Sequence, residues 1–384
     1  MGFFGRKRAP SVPHPRKEPR FDGPLTLERL EQIFQDCVDF TKRPVSLGEG
    51  GACTLTLCYL SGMVKMERVS DYVLRPLAQD EALARCGTPR QAMDRMKDGA
   101  LYNLSAEERT RLDAAVFDLV NGCCLLLFPG ESSVLSLNVG TEEKRSISSP
   151  SNETVLKGSR DAFVESLRTN TSIVRRHLKA PELRIREQVV GRQSVTSVDI
   201  LYIEGLTNPH LVEQVAAQLA DIDIDAVLAT GNIEEYIVPA ARTAFPLVQY
   251  TERSDRFCAG LAEGRVGILI DGLPLGYLAP GVLGDFLQAP QDKSESWLLA
   301  SALTLLRYLC MLGTLLLPAL YVAMVTFHQE MIPTRLALSI IAAKQDVPFR
   351  SVFEVIVLLL AFEILQEAGL RLPQSIGQTV SIIG

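Results

Sequence analysis

Three glutamates stand in or beside an apolar stretch near the C-terminal end of the chain. Residues 351–365, SVFEVIVLLLAFEIL, are apolar enough to enter a membrane, yet they include Glu354 and Glu363, and Glu367 follows shortly after. A carboxylate facing hydrocarbon is costly, so it lines a water-filled path or pairs with a basic group. At ~100° per helical residue, Glu363 and Glu367 share a face while Glu354 lies nearly opposite Glu363. The spacing therefore predicts that a straight helix turns only one of these faces to a common path.

A longer apolar stretch precedes these glutamates. Residues 297–327 read WLLASALTLLRYLCMLGTLLLPALYVAMVTF, without a charged side chain over 308–327. Twenty helical residues at ~1.5 Å each span roughly 30 Å, the thickness of the bilayer hydrocarbon. This length predicts a transmembrane helix at about 298–327. Pro318 predicts a kink and leaves one backbone carbonyl without its donor. Within a membrane a neighbouring group must supply that donor, which favours a helix bundle over a lone anchor.

Arg307 is the basic residue inside this apolar stretch. It either snorkels to the membrane interface or pairs with a glutamate of the next helix. Basic residues flank the stretch too evenly to fix its orientation. The first residues of the chain lack the apolar core of a signal peptide, so we expect the region before the helix to be cytoplasmic.

The C-terminal region predicts an α-helical multi-pass membrane domain over 293–384. Two prolines bound a run too short to span a membrane, which predicts an interfacial helix at about 333–344. The stretch with the glutamates predicts a second membrane helix at about 350–367. A third apolar segment from 373 stops in mid-pattern at Gly384, so we expect the chain to be truncated there.

Composition and motif spacing exclude several classes of function. The 384 residues carry a formal net charge of −6, which argues against a general nucleic-acid binder. The eight cysteines form no C-x-x-C motif, and the four histidines complete neither a zinc site nor a nucleophile triad. We therefore expect no enzymatic activity, no cofactor and no bound metal. The cysteines are expected to be buried thiols in a reducing compartment.

The region before the membrane helix predicts an α/β fold. A basic, Pro-rich tail at 1–24 is expected to be disordered, and two subdomains follow at 25–145 and 146–292. Apolar residues at helical spacing predict helices at 25–40 and 106–119.

The two subdomains share a sequence pattern. Strand, glycine turn and amphipathic helix follow one another at 58–77 and again at 201–220. Two apolar runs flank Gly130, and two similar runs flank Gly272, which predicts a hairpin in each subdomain. Two correspondences at nearly the same offset favour a duplicated module of strand, helix and hairpin.

Several stretches of the chain resemble the A subunits of GerA-type spore germinant receptors. The resemblance rests on these ranges: 158–178, 198–237, 245–257, 317–336 and 362–384. The chain departs from the family pattern at Ser149, at Ser254 and within 288–297. These positions lie in linkers and turns, so they affect the subgroup more than the family.

The resemblance implies a multi-pass subunit of the spore inner membrane with a cytoplasmic N-terminal region. It also implies assembly with a transporter-like B subunit and a lipoprotein C subunit, contact with membrane lipid, and a homo-oligomer that conducts cations when a nutrient binds. A non-conducting signalling scaffold is the alternative. A third interpretation, a small-molecule sensor in the α/β modules, would use Tyr202, Glu204 and Asn232.

Within such a channel the glutamates receive different roles. We expect Glu354, one turn after Ser351, to form the ring that concentrates cations. The apolar residues on its face would form a dewetting gate: Leu358, Ala361 and Leu365. Glu363 and Glu367 would then pair with a basic residue such as Arg371 or Arg335. The opposite assignment, with Glu363 and Glu367 facing the pore, stays open.

Overall fold

The chain is seen in a computed structural model that divides into two compact units, Met1–Phe286 and Leu287–Gly384. The structure describes these residues: 21–47, 54–86, 88–101, 106–140, 161–227, 235–237, 245–289, 291–292, 296–345 and 349–371. Most of the basic tail, the segment from 373, Ser149 and Asn232 lie outside the described residues.

The first unit begins with a five-stranded antiparallel sheet. Its strands are β1 (Phe40–Ser46), β2 (Thr54–Leu60), β3 (Ala106–Arg109), β4 (Cys123–Leu127) and β5 (Val134–Asn138). The helices of this half are α1 (Leu27–Ile33), α2 (Met66–Val69), α3 (Arg75–Gln79), α4 (Glu81–Ala84), α5 (Pro89–Arg95) and α6 (Leu112–Val120). A π-helical turn, Ser70–Leu74, joins α2 to α3.

A second five-stranded antiparallel sheet completes the first unit. Its strands are β6 (Leu183–Val190), β7 (Thr196–Ile203), β8 (Gln249–Thr251), β9 (Val266–Ile270) and β10 (Gly276–Ala279). Its helices are α7 (Leu167–His177), α8 (Pro209–Ala220), α9 (Ser254–Ala262) and α10 (Leu283–Leu287).

The two sheets have the same topology. The strand order is β1-β2-β4-β5-β3 in the first sheet and β6-β7-β9-β10-β8 in the second, so both follow the order 1-2-4-5-3. The predicted hairpins are β4–β5 and β9–β10. Gly130 and Gly272 turn them with φ of 80° and 84°, a conformation that glycine adopts without steric cost. The duplicated module predicted from the sequence is confirmed.

Each sheet buries both of its faces. In the first sheet Leu126 packs with α2 and α5, while its neighbours Leu125 and Leu127 pack with α1 and α6 on the other side. Successive residues of a strand point to opposite faces. A strand covered on both faces is therefore apolar throughout, as the run CCLLLF shows.

The predicted helix at 106–119 is wrong over its first turn. Ala106–Arg109 forms β3, which pairs with β5 at the edge of the sheet, and the helix starts only at Leu112. Pairing with the sheet overrides the helix preference of Glu107 and Glu108. Hydrogen bonds from Arg90 and Lys97 lower the pKa of the Glu108 carboxyl to about 2 and hold this edge strand in place.

The predicted helix at 25–40 is also shorter than expected. Thr26 caps α1, because its Oγ1 accepts from the amide of Arg29 at 3.3 Å, but α1 ends at Ile33. Asp36 has φ of 58°, a left-handed conformation that interrupts a helix. The chain then leads into β1 instead of continuing the helix.

The second unit is helical where it is described. It contains α11 (Trp297–Thr326), a 3-10 turn (Gln329–Met331), α12 (Thr334–Lys344) and α13 (Ser351–Arg371). α13 packs against α11. Among the described helices, α11 is the one long and apolar enough to cross a membrane, and most of its large apolar side chains are exposed.

Candidate functional site

Charged and polar side chains from three helices meet in the second unit. Lys344 lies at the end of α12, and its Nζ is 3.2 Å from Oε2 of Glu354 on α13. The same ammonium donates to Ser351 Oγ at 2.6 Å and lies 5.6 Å from the ring centre of Tyr321 on α11. The carboxylate that the sequence assigned to a cation ring therefore has a basic partner ten residues earlier in the chain.

A cavity of about 380 Å³ opens beside this ion pair. Its lining is mostly aliphatic, with Lys344, Ser351 and two glutamines as the polar members: Val325, Gln329, Ile332, Ala337, Ile340, Ile341, Lys344, Gln345 and Ser351. Lys344 and Glu354 are both partly buried, so solvent screens their attraction less than it would at a fully exposed surface.

The other predicted site residues of α13 lie on exposed parts of the helix. Glu363 and Glu367 are exposed, and α13 runs unbroken from Glu354 past both of them. The predicted gate residues are also exposed in the single chain: Leu358, Ala361 and Leu365. A neighbouring helix or a second copy of the chain can therefore reach this surface, and the pore assignment stays a prediction.

Arg307 reaches back toward the N-terminal end of its helix. Its Nη2 lies 3.0 Å from Asp292 Oδ1, a second contact joins Nη1 to Oδ2, and Nη1 donates to the carbonyl of Leu287 at 3.1 Å. The hydrogen bonds from Arg307 lower the pKa of the Asp292 carboxyl. Arg307 therefore pairs with an aspartate that precedes its own helix, and its role at a membrane interface stays a prediction.

Pro318 lies inside α11, which continues through it. A proline has no amide hydrogen, so the carbonyl of Thr314 loses its donor within the helix. The hydroxyl of Thr314 itself donates to the carbonyl of Met311 at 2.8 Å. Position 314 therefore offers a backbone acceptor to a neighbouring helix.

A second polar site joins the two sheets inside the first unit. Arg175 of α7 and Asp39, which precedes β1, are 1% and 3% exposed. Arg175 Nε lies 2.8 Å and Nη2 3.0 Å from the two oxygens of Asp39. This bidentate pair links residues that are 136 positions apart and belong to different copies of the repeat.

The backbone next to Asp39 extends the second sheet. Cys37 forms a parallel bridge with Ile185 of β6, in which the amide of Val38 donates to the carbonyl of Ile185 at 3.0 Å. The amide of Ile185 donates in turn to the carbonyl of Asp36 at 3.2 Å. The left-handed turn at Asp36 therefore brings the first half onto the edge strand of the second.

The Arg175–Asp39 pair and the Cys37–Ile185 bridge form a junction between the two halves of the first unit. Two residues proposed for a small-molecule sensor lie beside this junction. Glu204 pairs with Arg184, which also donates to the carbonyl of Ile33 in α1. The guanidinium of Arg186 lies 5.4 Å from the ring centre of Tyr202. Arg186 Nη2 also donates to Asp36 Oδ2 at 2.9 Å, so Tyr202 and Glu204 both contact arginines that bind the other half of the repeat.

Burial alters the protonation of two thiols and one carboxyl in the first unit. Burial raises the pKa of the Cys58 and Cys258 thiols to about 12, so these side chains stay protonated. Burial also raises the pKa of Asp199, which is enclosed beneath α7, to about 6. Among the described residues there is no cluster of His, Cys, Asp and Glu side chains that could hold a metal ion.

Comparison with known proteins identifies the family. A family model described as Bacillus/Clostridium GerA spore germination protein matches residues 28–384. The uncharacterized membrane protein YfkQ of Bacillus subtilis is 36% identical over 358 residues, which are 93% of this chain and 68% of that protein. Spore germination protein KA of the same organism is 36% identical over 346 residues, 90% of this chain and 63% of that protein.

A solved structure resembles the first unit. It is the crystal structure of the N-terminal domain of the A subunit of the Bacillus megaterium spore germinant receptor GerK3, with a TM-score of 0.53 and 27% identity. The match covers 67% of this chain and 94% of that domain. The chain belongs to the GerA family of spore germination proteins.

Proposed function

We propose that this chain is an A subunit of a spore germinant receptor and forms part of an oligomeric, nutrient-gated cation channel in the spore inner membrane. Family membership supports the receptor role. The observation that carries the channel role is the Lys344–Glu354 pair, which places a carboxylate at the meeting point of three apolar helices. A partly buried charge among apolar helices is costly to retain, which favours a functional reason for it.

The pair suggests how the channel opens. In the packing described here Lys344 neutralises Glu354, so the carboxylate attracts no cation. A second packing that separates α12 from the start of α13 would free Glu354 to face a water-filled path. Nutrient binding in a partner subunit would shift the population between these two packings. This mechanism assigns sensing to a transporter-like B subunit, with a lipoprotein C subunit completing the receptor.

Chain topology follows from the same proposal. The first unit faces the spore core, α11 and α13 cross the membrane, and α12 lies at the interface. Several copies of α13 would surround the cation path with Glu354 and the gate residues Leu358, Ala361 and Leu365.

A non-conducting scaffold is the second candidate function. The Lys344–Glu354 pair is compatible with it, because an ion pair between two helices also serves to fix helix packing. In that case the second unit anchors the receptor and passes structural change between partners without conducting ions.

Ion flux distinguishes the two functions. The full receptor is reconstituted in liposomes with its partner subunits, and cation release is measured with and without nutrient. Lys344→Gln should raise release without nutrient about tenfold, because an unpaired Glu354 favours the open packing by roughly 1.4 kcal/mol. Glu354→Gln should reduce nutrient-dependent release, and Glu363→Gln serves as the matched carboxylate control on the same helix. Unchanged release from assembled Lys344→Gln, Glu354→Gln and Glu363→Gln receptors would favour the scaffold, whereas loss in Glu363→Gln alone would give the pore role to Glu363.

A further inference from the structure

In the last turn of the first unit, apolar side chains face outward and the acidic side chain faces the protein. Val282, Leu283 and Phe286 are 49%, 56% and 47% exposed, so three apolar side chains point away from the protein at α10. The acidic residue of the same turn points inward, since Asp285 contacts Arg265 through both carboxylate oxygens at 2.5 and 3.0 Å. A turn on a water-facing surface has the opposite arrangement.

Hydrogen bonds hold this turn in its orientation. Arg256 Nη2 donates to the carbonyl of Asp285 at 3.1 Å, and the amide of Val282 donates to Asp285 Oδ2 at 2.9 Å. The preceding residue, Gly281, donates to the carbonyl of Leu247 at 2.6 Å. The apolar side chains are therefore presented by a segment that hydrogen bonds brace against the rest of the first unit.

The chain continues from this turn to the membrane helix. Leu287 directly follows Phe286, and consecutive Cα atoms are ~3.8 Å apart. The carbonyl of Leu287 accepts a hydrogen bond from Arg307, the last charged residue before the uncharged stretch 308–327. A snorkelling arginine marks the boundary between hydrocarbon and head groups. Phe286 is thus covalently joined to a residue that binds at this boundary.

We propose that Val282, Leu283 and Phe286 form a lipid-contacting surface that inserts into the membrane interface. These side chains would contact lipid at the boundary between head groups and acyl chains, where apolar side chains insert to a depth of ~5–10 Å. This inference rests on the membrane insertion of α11 given under the proposed function. It is independent of whether the receptor conducts ions.

The single tryptophan of the chain makes the proposal testable. In the full-length Trp297→Phe protein, a tryptophan is introduced by Phe286→Trp, by Tyr72→Trp or by Leu316→Trp, and each protein is reconstituted in liposomes. Tyr72 is 46% exposed, so it matches Phe286 in exposure but lies in the first half of the repeat. Leu316→Trp reports directly on the insertion of α11.

Lipids with bromine high on the acyl chain then quench tryptophans near the interface, and lipids with bromine near the end of the acyl chain quench tryptophans near the bilayer centre, such as that of Leu316→Trp. Emission from position 286 should fall about twofold in brominated lipid, because the expected depth is ~5–10 Å, while emission from position 72 stays constant. Leu283→Trp repeats the test if Phe286→Trp reduces folding.

Two outcomes would overturn the proposal while position 316 is quenched. Quenching of position 286 by aqueous iodide, and not by brominated lipid, would place the turn in water. Protection from both quenchers would mean that a protein surface covers it, either a second copy or a partner subunit. Loss of quenching at position 316 would instead count against membrane insertion of α11, and so against the proposed function as well.

Discussion

The guanidinium of Arg175 and the carboxylate of Asp39 are both removed from water and bind each other through two contacts of 2.8 and 3.0 Å. Removal of one partner leaves the other charge buried without compensation, which costs roughly 3–5 kcal/mol. We therefore expect Arg175→Met to destabilise residues 21–286 by this amount in urea unfolding. The related receptor domain crystallised as a separate domain, which supports the use of such a fragment.

Arg168 on the same helix provides the control. It is half exposed and pairs with Glu187 and Asp199 of the same half, so Arg168→Met should cost clearly less than the ~3–5 kcal/mol expected for Arg175→Met. The double variant Asp39→Leu/Arg175→Met removes both buried charges and should recover part of the loss. Equal destabilisation by Arg168→Met and Arg175→Met would show that burial does not raise the free-energy cost of breaking the Arg175–Asp39 pair.

Asp199 predicts a pH dependence of stability. Burial raises its pKa to about 6 from 3.8, while Thr171 Oγ1 donates to its Oδ2 at 3.0 Å. The folded state then binds more protons at Asp199 than the unfolded state does, so the contribution of Asp199 to stability is fully present below pH 4 and is lost as pH rises through 6. Between pH 5 and 7 the wild type should lose about 1 kcal/mol more than Asp199→Asn. Parallel curves for the two proteins would contradict the raised pKa.

At the scale of elements, the sequence predicts correctly those elements that neighbouring residues alone determine. The hairpins at Gly130 and Gly272 follow from turn residues between apolar runs, and both are present. β3 was mistaken for a helix because Glu107 and Glu108 favour helices, whereas an edge strand is decided by its pairing with β5. The N-terminus of α7 is likewise capped by a residue distant in sequence, because Asp271 Oδ1 accepts a hydrogen bond from the amide of Leu167 at 3.0 Å.

In the candidate sites, too, the sequence reveals single residues more readily than the contacts between them. The glutamates of α13 were found because charge in an apolar stretch is visible in the sequence. Lys344 was not assigned to Glu354, although it is the only lysine after position 293 and lies close in sequence. Arg175 and Asp39 could not be paired, because each lies in a different copy of the repeat and a burial pattern along one helix does not identify a partner 136 residues away.

At the scale of the molecule, the first unit has separate apolar cores on the faces of two sheets, and a polar junction joins them. The Arg175–Asp39 pair and the bridge from Cys37 to Ile185 cross between the halves. Separate cores can unfold separately unless the contacts between them are strong. The junction therefore predicts that the two halves of the wild type open as one cooperative unit, which suits a receptor domain that transmits structural change.

Hydrogen exchange measures this cooperativity directly. In residues 21–286, amides of β4 and β9 should report the same free energy of opening in the wild type. Arg175→Met should separate the two values by more than ~1 kcal/mol, because each half then opens alone, while Arg168→Met should leave them equal. Two distinct opening energies in the wild type would mean that the repeats are energetically independent. A signal would then have to cross the first unit through contacts other than Arg175 and Asp39.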